Sequence, residues 1–578
     1  MPSKISSMVL VALLVGAPTA LTACKPTNKC SASTCNGCCS DLGQCLVGSS
    51  NAACGRGGNA CKTCGATEMC VATTGTCLAG MGGGTGGGTS GTGGGGGGMS
   101  GTGGGMSGTG GGSGGGGVTN PNDVEGTCTQ TWTSDVDAGT RPCQFGSSPP
   151  NAIIVGEDGG LTTIVATVRA DSSFSFTGVP MGPYFVRIGT AWFKTTERRV
   201  SLDFESLGRV DGALAGAGTT LSVNATNLQP WNDTSHFMSL YSSNVGVAME
   251  AFSLYVNNPP FGGETAYNFQ IPYELYSSQL QTPMLDSTKG DSVLVTQMAA
   301  SPTGEYRVLG AGQASAVSMV SGQANTTNVA LMSPPASSTP LDISQSTFAM
   351  YSADFTTGAG PVLNVEFNTG PKPVHDRGAD GLAFVWGSYP DPMGTPPTLP
   401  NPLSYPNPFP GTWGTTVGIQ FGNSVDRTIT GATQPRRYFS GISSTLAIQA
   451  LASPVVATIS PPRDAQLNGM PFGNAATSVT RTPTVTWTAP TLGTVARYQV
   501  RVEQLQLSSG RTTARTAGSF YLLPTDTTFT VPPNVLATGQ SYVIVLSAYA
   551  FPGNPLRDLS TFPFPIGSAS VVSGVVRP

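Results

Sequence analysis

Thr484-Val485-Thr486-Trp487 is followed by Pro490 and Tyr498-Gln499-Val500-Arg501-Val502, then by Phe529-Thr530-Val531-Pro532, Leu536 and Tyr542-Val543-Ile544-Val545-Leu546-Ser547-Ala548. Successive side chains of a strand point to opposite faces, so Val485 and Trp487 share one face, as do Tyr498, Val500 and Val502. Tyr542, Ile544, Leu546 and Ala548 form a third inward set. Outward from this stretch, everything after residue 118 has the same texture: short Val, Ile, Thr, Phe and Tyr runs broken by Gly, Pro, Asn and Asp. No segment of helical length sustains a 3.6-residue period. The expected class is mainly β, built of several β-sandwich modules.

From Ile459 to Phe564 the pattern resembles a fibronectin type III domain. The resemblance implies that Trp487 is the core tryptophan of the second strand, with Leu536 and Tyr542 forming the tyrosine corner. It assigns residues 456–578 to an independently folding module without a ligand site. Upstream, Asp171-Ser172-Ser173-Phe174-Ser175-Phe176 leads through Gly178-Val179-Pro180-Met181-Gly182 to Tyr184-Phe185-Val186. Phe174 and Phe176 share a face, as do Tyr184 and Val186. This segment resembles the carboxypeptidase regulatory-like, transthyretin-like sandwich, which implies a non-catalytic stalk or stabilising module, assigned to residues 118–205.

Residues 206–335 and 336–455 read as two further β modules without a named family. Pro230-Trp231-Asn232-Asp233 precedes Met238-Ser239-Leu240-Tyr241, and Gly290-Asp291 precedes Ser292-Val293-Leu294-Val295. Both are strands reached from polar turns, and they are expected to pair within one sandwich. Asp376-Arg377-Gly378-Ala379-Asp380-Gly381-Leu382-Ala383-Phe384 resembles the segment leading into a core strand of L-type lectins, where such an aspartate serves sugar and calcium. The downstream metal ligands of those lectins are not found in matching order, so by its residues the segment reads as a surface turn. The Pro-rich stretch from Tyr389 to Pro410 reads as a long ordered loop or an interdomain crossing.

The N-terminal part specifies location. Lys4 precedes an uncharged run from Met8 to Ala17, and Leu21-Thr22-Ala23-Cys24 closes it. Ten residues of helix rise only about 15 Å, half a hydrocarbon core, so residues 1–23 read as a signal peptide rather than a span. The four-residue ending resembles the lipobox of bacterial lipoproteins, which implies cleavage before Cys24 and its acylation. Lys25 stands where an aspartate would direct inner-membrane retention, so the expected location is the cell envelope, at the outer membrane or cell surface.

Of 13 cysteines, ten more crowd into the module at 24–79: Cys30, Cys35, Cys38, Cys39, Cys45, Cys54, Cys61, Cys64, Cys70 and Cys77. Cys128 and Cys143 follow beyond the next linker. An exported chain with so few large apolar residues between Cys30 and Cys77 needs disulfides to hold that module. The competing reading is zinc on Cys35, Cys38, Cys61 and Cys64, whose spacing is close to that of a zinc ribbon. That choice leaves six cysteines unexplained in an oxidising compartment, so no metal ligand is assigned. The CNGCC…GQC…CG…CKTC pattern resembles the cysteine-rich heads of surface lipoproteins common in myxobacteria. From Gly80 to Gly117 the chain has 26 glycines in 38 residues, without charge or proline. Such a segment cannot offset its ordering entropy, and as a disordered tether it spans about 35 Å root-mean-square. Its Gly111-Gly112-Ser113-Gly114-Gly115 matches the hydrolase elbow by composition alone, since an elbow needs a strand and a helix around it.

Charged residues make up 10% of the 578 and the net charge is −4, with no concentrated basic run, which excludes nucleic acid as a partner. His236 and His375 are the two histidines, and neither sits in H-E-x-x-H. Glu250, Glu264, Glu274, Glu305 and Glu366 are scattered acids from which a glycosidase pair could be drawn, at a separation the sequence does not fix. The expectation is a non-enzymatic, cofactor-free lipoprotein with a binding, adhesive or structural role. Its partners are the membrane, through the lipid, and a surface protein or polysaccharide. The alternatives are a secreted polysaccharide-active hydrolase with its chemistry in 206–455, or a lectin-like carbohydrate binder.

Overall fold

The computed structural model describes residues 38–39, 45–46, 49–50, 53–64, 68–71 and 76–79, then 120–578 apart from 146–147, 157–158, 251–261, 372–382, 391–398, 452, 475 and 478. Cys24, Cys30, Cys35, the glycine-rich stretch, His375, Asp376 and Asp380 lie outside the described residues. The chain is 51% strand and 4% helix. It divides into two compact units, residues 21–115 and a body from residue 116 to the C-terminus.

In the first unit, Cys38–Cys39 pairs with Cys45–Leu46 and with Asn59–Ala60, and Glu68–Val71 forms a hairpin with Thr76–Ala79. Disulfides join Cys38 to Cys61 and Cys64 to Cys77, with Cα atoms 4.9 and 5.4 Å apart. Cys39 and Cys54 are disulfide-bonded as well. Cys38 is fully buried. Sulfur takes the place of an apolar core here.

The body begins with two four-stranded sheets. One contains β1 (Val124–Thr127), β4 (Thr167–Val168), β5 (Phe174–Phe176) and β8 (Arg199–Ser201) in the order β4-β5-β1-β8. The other contains β2 (Asn151–Val155), β3 (Leu161–Val165), β6 (Tyr184–Ile188) and β7 (Ala191–Thr195) in the order β3-β2-β6-β7. Phe174, Phe176 and Val186 are fully buried between them, and Tyr184 nearly so, as their alternation requires. A Cβ on Gly126 would lie 2.1 Å from the Phe174 ring, so this crossing needs glycine. The Cys128–Cys143 disulfide closes a 15-residue separation, about 3 kcal/mol in the chain-entropy account.

A second sandwich follows. Strands β9 (Thr220–Thr226), β12 (Ala266–Ile271) and β15 (Ala324–Ala330) form one sheet in the order β12-β9-β15. The facing sheet has β10 (His236–Ser242), β11 (Val247–Glu250), β13 (Val293–Ala300) and β14 (Glu305–Ala314) in the order β11-β10-β13-β14. Leu240 and Val295 lie opposite each other, so the two strands reached from polar turns do pair. A buried ion pair joins Arg209, on the segment leading into β9, to Asp291, just before β13, within this sandwich. Arg209 also donates to the Met284 carbonyl at 2.9 Å.

The strands that follow include β16 (Ala359–Pro371), β17 (Ala383–Ser388), β18 (Trp413–Arg427), β19 (Arg436–Ala447), β20 (Arg463–Leu467), β21 (Thr484–Thr488), β22 (Arg497–Ser508), β23 (Arg511–Leu522), β24 (Thr528–Thr530), β25 (Ser541–Ala550) and β26 (Ile566–Val572). Sheet β20-β21-β24 faces sheet β23-β22-β25-β26, a fibronectin type III-like arrangement. Val485, Tyr498, Val500, Val502, Ile544, Leu546 and Ala548 are fully buried and Trp487 is 5% exposed, its ring 5.2 Å from that of Tyr498. The Tyr542 hydroxyl accepts the Ala537 N–H at 2.8 Å beside buried Leu536, which makes the corner.

Main-chain pairings cross from one module to the next. Strand β7 pairs in parallel with β23, β26 pairs with β19, and β14 pairs with β17. One 18-stranded sheet therefore threads the body, running β3-β2-β6-β7-β23-β22-β25-β26-β19-β18-β16-β17-β14-β13-β10-β11 along its main path. A boundary at 455/456 also cuts a shared core, in which Leu341, Phe348, Phe421, Ile442 and Val455 pack with Trp487, Tyr498 and Leu546. Residues 456–578 thus share a sheet and a core with the strands that precede them. Both outer strands of their four-stranded sheet are paired to strands from elsewhere in the chain.

Candidate functional site

Two of the acids singled out above, Glu305 and Glu366, converge on β17 from its two neighbours. Glu305 stands opposite Ser388, which stands opposite Val365, while Glu366 and Tyr306 both stand opposite Gly387. Paired residues project to the same side of a sheet. Glu305 therefore shares the face of Val365, and Glu366 shares the face of Tyr306. The sheet lies between the two carboxylates, so they cannot flank one glycosidic bond.

Glu305 is used in packing. The Trp386 indole N–H donates to its Oε1 at 2.9 Å, and the Trp386 ring packs 5.4 Å from that of Phe367. Glu366 is the more distinctive group. The Tyr389 hydroxyl donates to its Oε1 at 2.7 Å, and burial pushes its carboxyl above the usual carboxylate range, against hydrogen bonds from Tyr389 and Asn368. The Tyr389 ring sits edge-on to that of Tyr306 at 5.1 Å, and Tyr306 is 6.1 Å from Phe237. A Cβ on Gly387 would come 2.7 Å from the Phe384 ring and 3.0 Å from Tyr389, so glycine lets these rings close over the strand. The result is a weakened acid among aromatic rings, able to donate or accept a hydrogen bond according to pH. It lies at the seam between the second sandwich and the rest of the body.

The sign of the pH effect follows from that raised pKa. The folded chain binds this proton more tightly than the unfolded chain, so Glu366 favours folding below the unfolded value, and that contribution is lost as pH rises through the folded one. Glu366→Gln should therefore raise the thermal midpoint at pH 7–8 and change it little near pH 4. Calorimetry at both pH values checks this, and an equal shift at both would remove the titration account.

Among the other sequence candidates, His236, Glu274 and Glu264 have structural partners. His236 Nδ1 accepts the Asn232 N–H at 3.1 Å and lies 3.2 Å from Gln297 Nε2, with its ring 5.7 Å from Trp231, and burial lowers its pKa. Glu274 accepts the Gly218 N–H, and Glu264 receives the Trp231 N–H on its backbone carbonyl at 2.9 Å. Glu250 lies in β11, with its side chain outside the described part. Among the described residues, the one group of ligand atoms close enough to hold a metal is the sulfur set of Cys54, Cys64 and Cys77, all in disulfides. Two of the four cysteines with zinc spacing, Cys38 and Cys61, are bonded to each other.

Sequence reasoning missed Arg497. It is 2% exposed, and its guanidinium lies 5.7 Å from the ring centre of Phe193 on β7 and 5.6 Å from those of Tyr521 and Phe562. It donates to the Leu559 carbonyl at 2.7 Å and to that of Pro555. The available signal was an arginine beginning an apolar strand, Arg497-Tyr498-Gln499-Val500.

No protein-family model matches the chain, and no curated protein does. Among solved structures, the FN1-FN3 domains of chicken CNTN1 align at 9% identity over 64% of this chain and 98% of that one, with a TM-score of 0.13. A tetra-tandem repeat from the extending region of a large adhesion protein aligns at 13% identity over 78% and 99%, with a TM-score of 0.10. The BSP domain of a biofilm-associated protein aligns at 10% identity over 79% and 90%, with a TM-score of 0.11. Scores this low do not establish a shared overall fold, and the fibronectin type III-like assignment rests on the strand topology described above.

Proposed function

We propose that this chain is a lipid-anchored protein of the cell envelope with a non-catalytic adhesive or structural role. Cys24 carries the lipid, the cysteine-rich head and glycine tether follow, and the β body is displayed outward to a surface protein or polysaccharide. The observation that carries the structural half of this reading is the single sheet threading the body. Load entering one sandwich reaches the next through main-chain hydrogen bonds between adjacent strands, a connection stiffer than a flexible linker. Of the two most deeply buried arginines among the described residues, Arg497 sits at a seam between sandwiches, against Phe193 of the first, while Arg209 is paired within the second.

The anchoring half rests on Leu21-Thr22-Ala23-Cys24 after an apolar run. Two or more acyl chains hold a protein on a membrane stably, at about 0.8 kcal/mol per buried CH₂. Cells expressing wild type and Cys24→Ala should differ in detergent-phase partitioning. Wild type follows the membrane and takes up lipid label, whereas the variant is soluble and unlabelled. A variant that still partitions with membrane overturns the anchor.

A further inference from the structure

We propose that β3 pairs antiparallel with the β3 of a second copy of this chain, continuing the sheet from one molecule into the next. The directions of its backbone groups follow from the two ends of the β2–β3 hairpin. The Gly156 N–H donates to the Gly160 carbonyl at 2.8 Å, and the Ala166 N–H donates to the Pro150 carbonyl at 3.0 Å. Doubly bonded pairs recur every second residue in an antiparallel ladder, so Thr162 and Ile164 are the residues of β3 that bond to β2. The N–H and C=O groups of Leu161, Thr163 and Val165 therefore point the other way. Among the described residues, no strand pairs with that edge.

The sequence does nothing to blunt it. Leu161-Thr162-Thr163-Ile164-Val165 contains no charge, proline or glycine, the devices that ordinarily keep an edge from pairing. Thr162, Thr163 and Val165 are exposed, Val165 at 58%. The occupant is indicated by what the chain does with its other edges. The pairings of β7 with β23, β19 with β26 and β14 with β17 each join modules edge to edge, and β3 is the terminal strand of the same sheet.

A two-fold axis through Thr163 sets Thr163 opposite Thr163 and Leu161 opposite Val165. All of these are residues whose backbone groups already face outward. Bulky aliphatic and β-branched side chains then meet across the junction with no like charges opposed. The same patch serves both copies, so the contact closes as a dimer.

The full mature chain made lipid-free by Cys24→Ala tests this by sedimentation equilibrium over a wide concentration range. A reversible dimer is expected. Thr163→Lys with Val165→Lys, which opposes lysines across the axis, should weaken association by about tenfold or more while leaving the thermal midpoint in place. Val320→Lys, at an exposed site on the second sandwich, should leave the dimer unchanged. A chain that stays monomeric at every concentration overturns the proposal, as does a dimer that survives the double substitution. So does a monomer that accepts only a foreign strand peptide on this edge.

Discussion

Trp487→Ala should lower the unfolding midpoint of the whole body, and not only of the segment from residue 456 onward. The indole is 5% exposed and packs on Tyr498 within a core that includes Phe348 from a short helix and Phe421 and Ile442 from strands before that segment. Truncating a buried tryptophan to alanine costs about 3–5 kcal/mol, a large share of the roughly 5–15 kcal/mol that holds a domain folded. Because the core and the sheet cross residue 455, calorimetry of the full chain should show the transition that carries β18 and β19 moving together with the one that carries β22 and β25. Tyr542→Phe is the graded companion. It leaves the Ala537 N–H without the hydroxyl that accepts it, at a cost of about 1–3 kcal/mol. Should the Trp487→Ala midpoint stay at the wild-type value, the inward register of β21 is wrong. Should only a C-terminal transition move, the shared core does not couple the modules.

What the sequence could disclose was the face each residue takes, because parity along a strand is a local property. Phe174 with Phe176, Val485 with Trp487, and Tyr542 with Ile544 all point inward as their spacing requires. Edges are a different matter. Alternation says nothing about which strand lies alongside, so the parallel pairing of β7 with β23, more than 300 residues away, left no pattern in either segment. Two signals were present and went unused. Val543 and Val545 alternate with Tyr542, Ile544 and Leu546, so β25 is apolar on both sides, and its second face packs on Val425 and Tyr438. Likewise Val455, Ala457 and Ile459 form an inward-facing set with a period of two, which places core where a boundary was expected. For Glu305 and Glu366 the missing quantity was register. One residue of slip between β14 and β16 would have put both carboxylates on one face, and no composition or spacing fixes that offset.

Arg497→Ala should cost about 3 kcal/mol or more, the second large effect, and Arg497→Met should cost less than half as much. Burial lowers the pKa of this guanidinium to about 10, against the attraction of Tyr521 and Asp558, which still leaves it charged at neutral pH, and among the described residues no carboxylate lies within salt-bridge distance of it. Its charge is held by the faces of Phe193, Tyr521 and Phe562 and by the carbonyls of Leu559 and Pro555. Ring contacts of this kind contribute about 0.5–2 kcal/mol each, and hydrogen bonds to a charged group about 1.5–3. Alanine forfeits both and leaves two buried carbonyls beside a cavity. Methionine fills most of the volume and removes the desolvation cost of a buried cation, which offsets part of the loss. Lysine keeps the charge but lacks the planar fork that reaches both carbonyls while lying against three rings, so Arg497→Lys should fall between the other two. Phe193 belongs to β7 and the other partners to the C-terminal sandwich, so the loss should appear as weakened docking of the first sandwich. Hydrogen exchange should rise first at the backbone pairs joining Ala191–Phe193 to Ser519–Tyr521. If Arg497→Met proves as damaging as alanine, the charge itself sets the seam. If Arg497→Ala leaves both the midpoint and that exchange unchanged, the seam is held by the strand pairing alone.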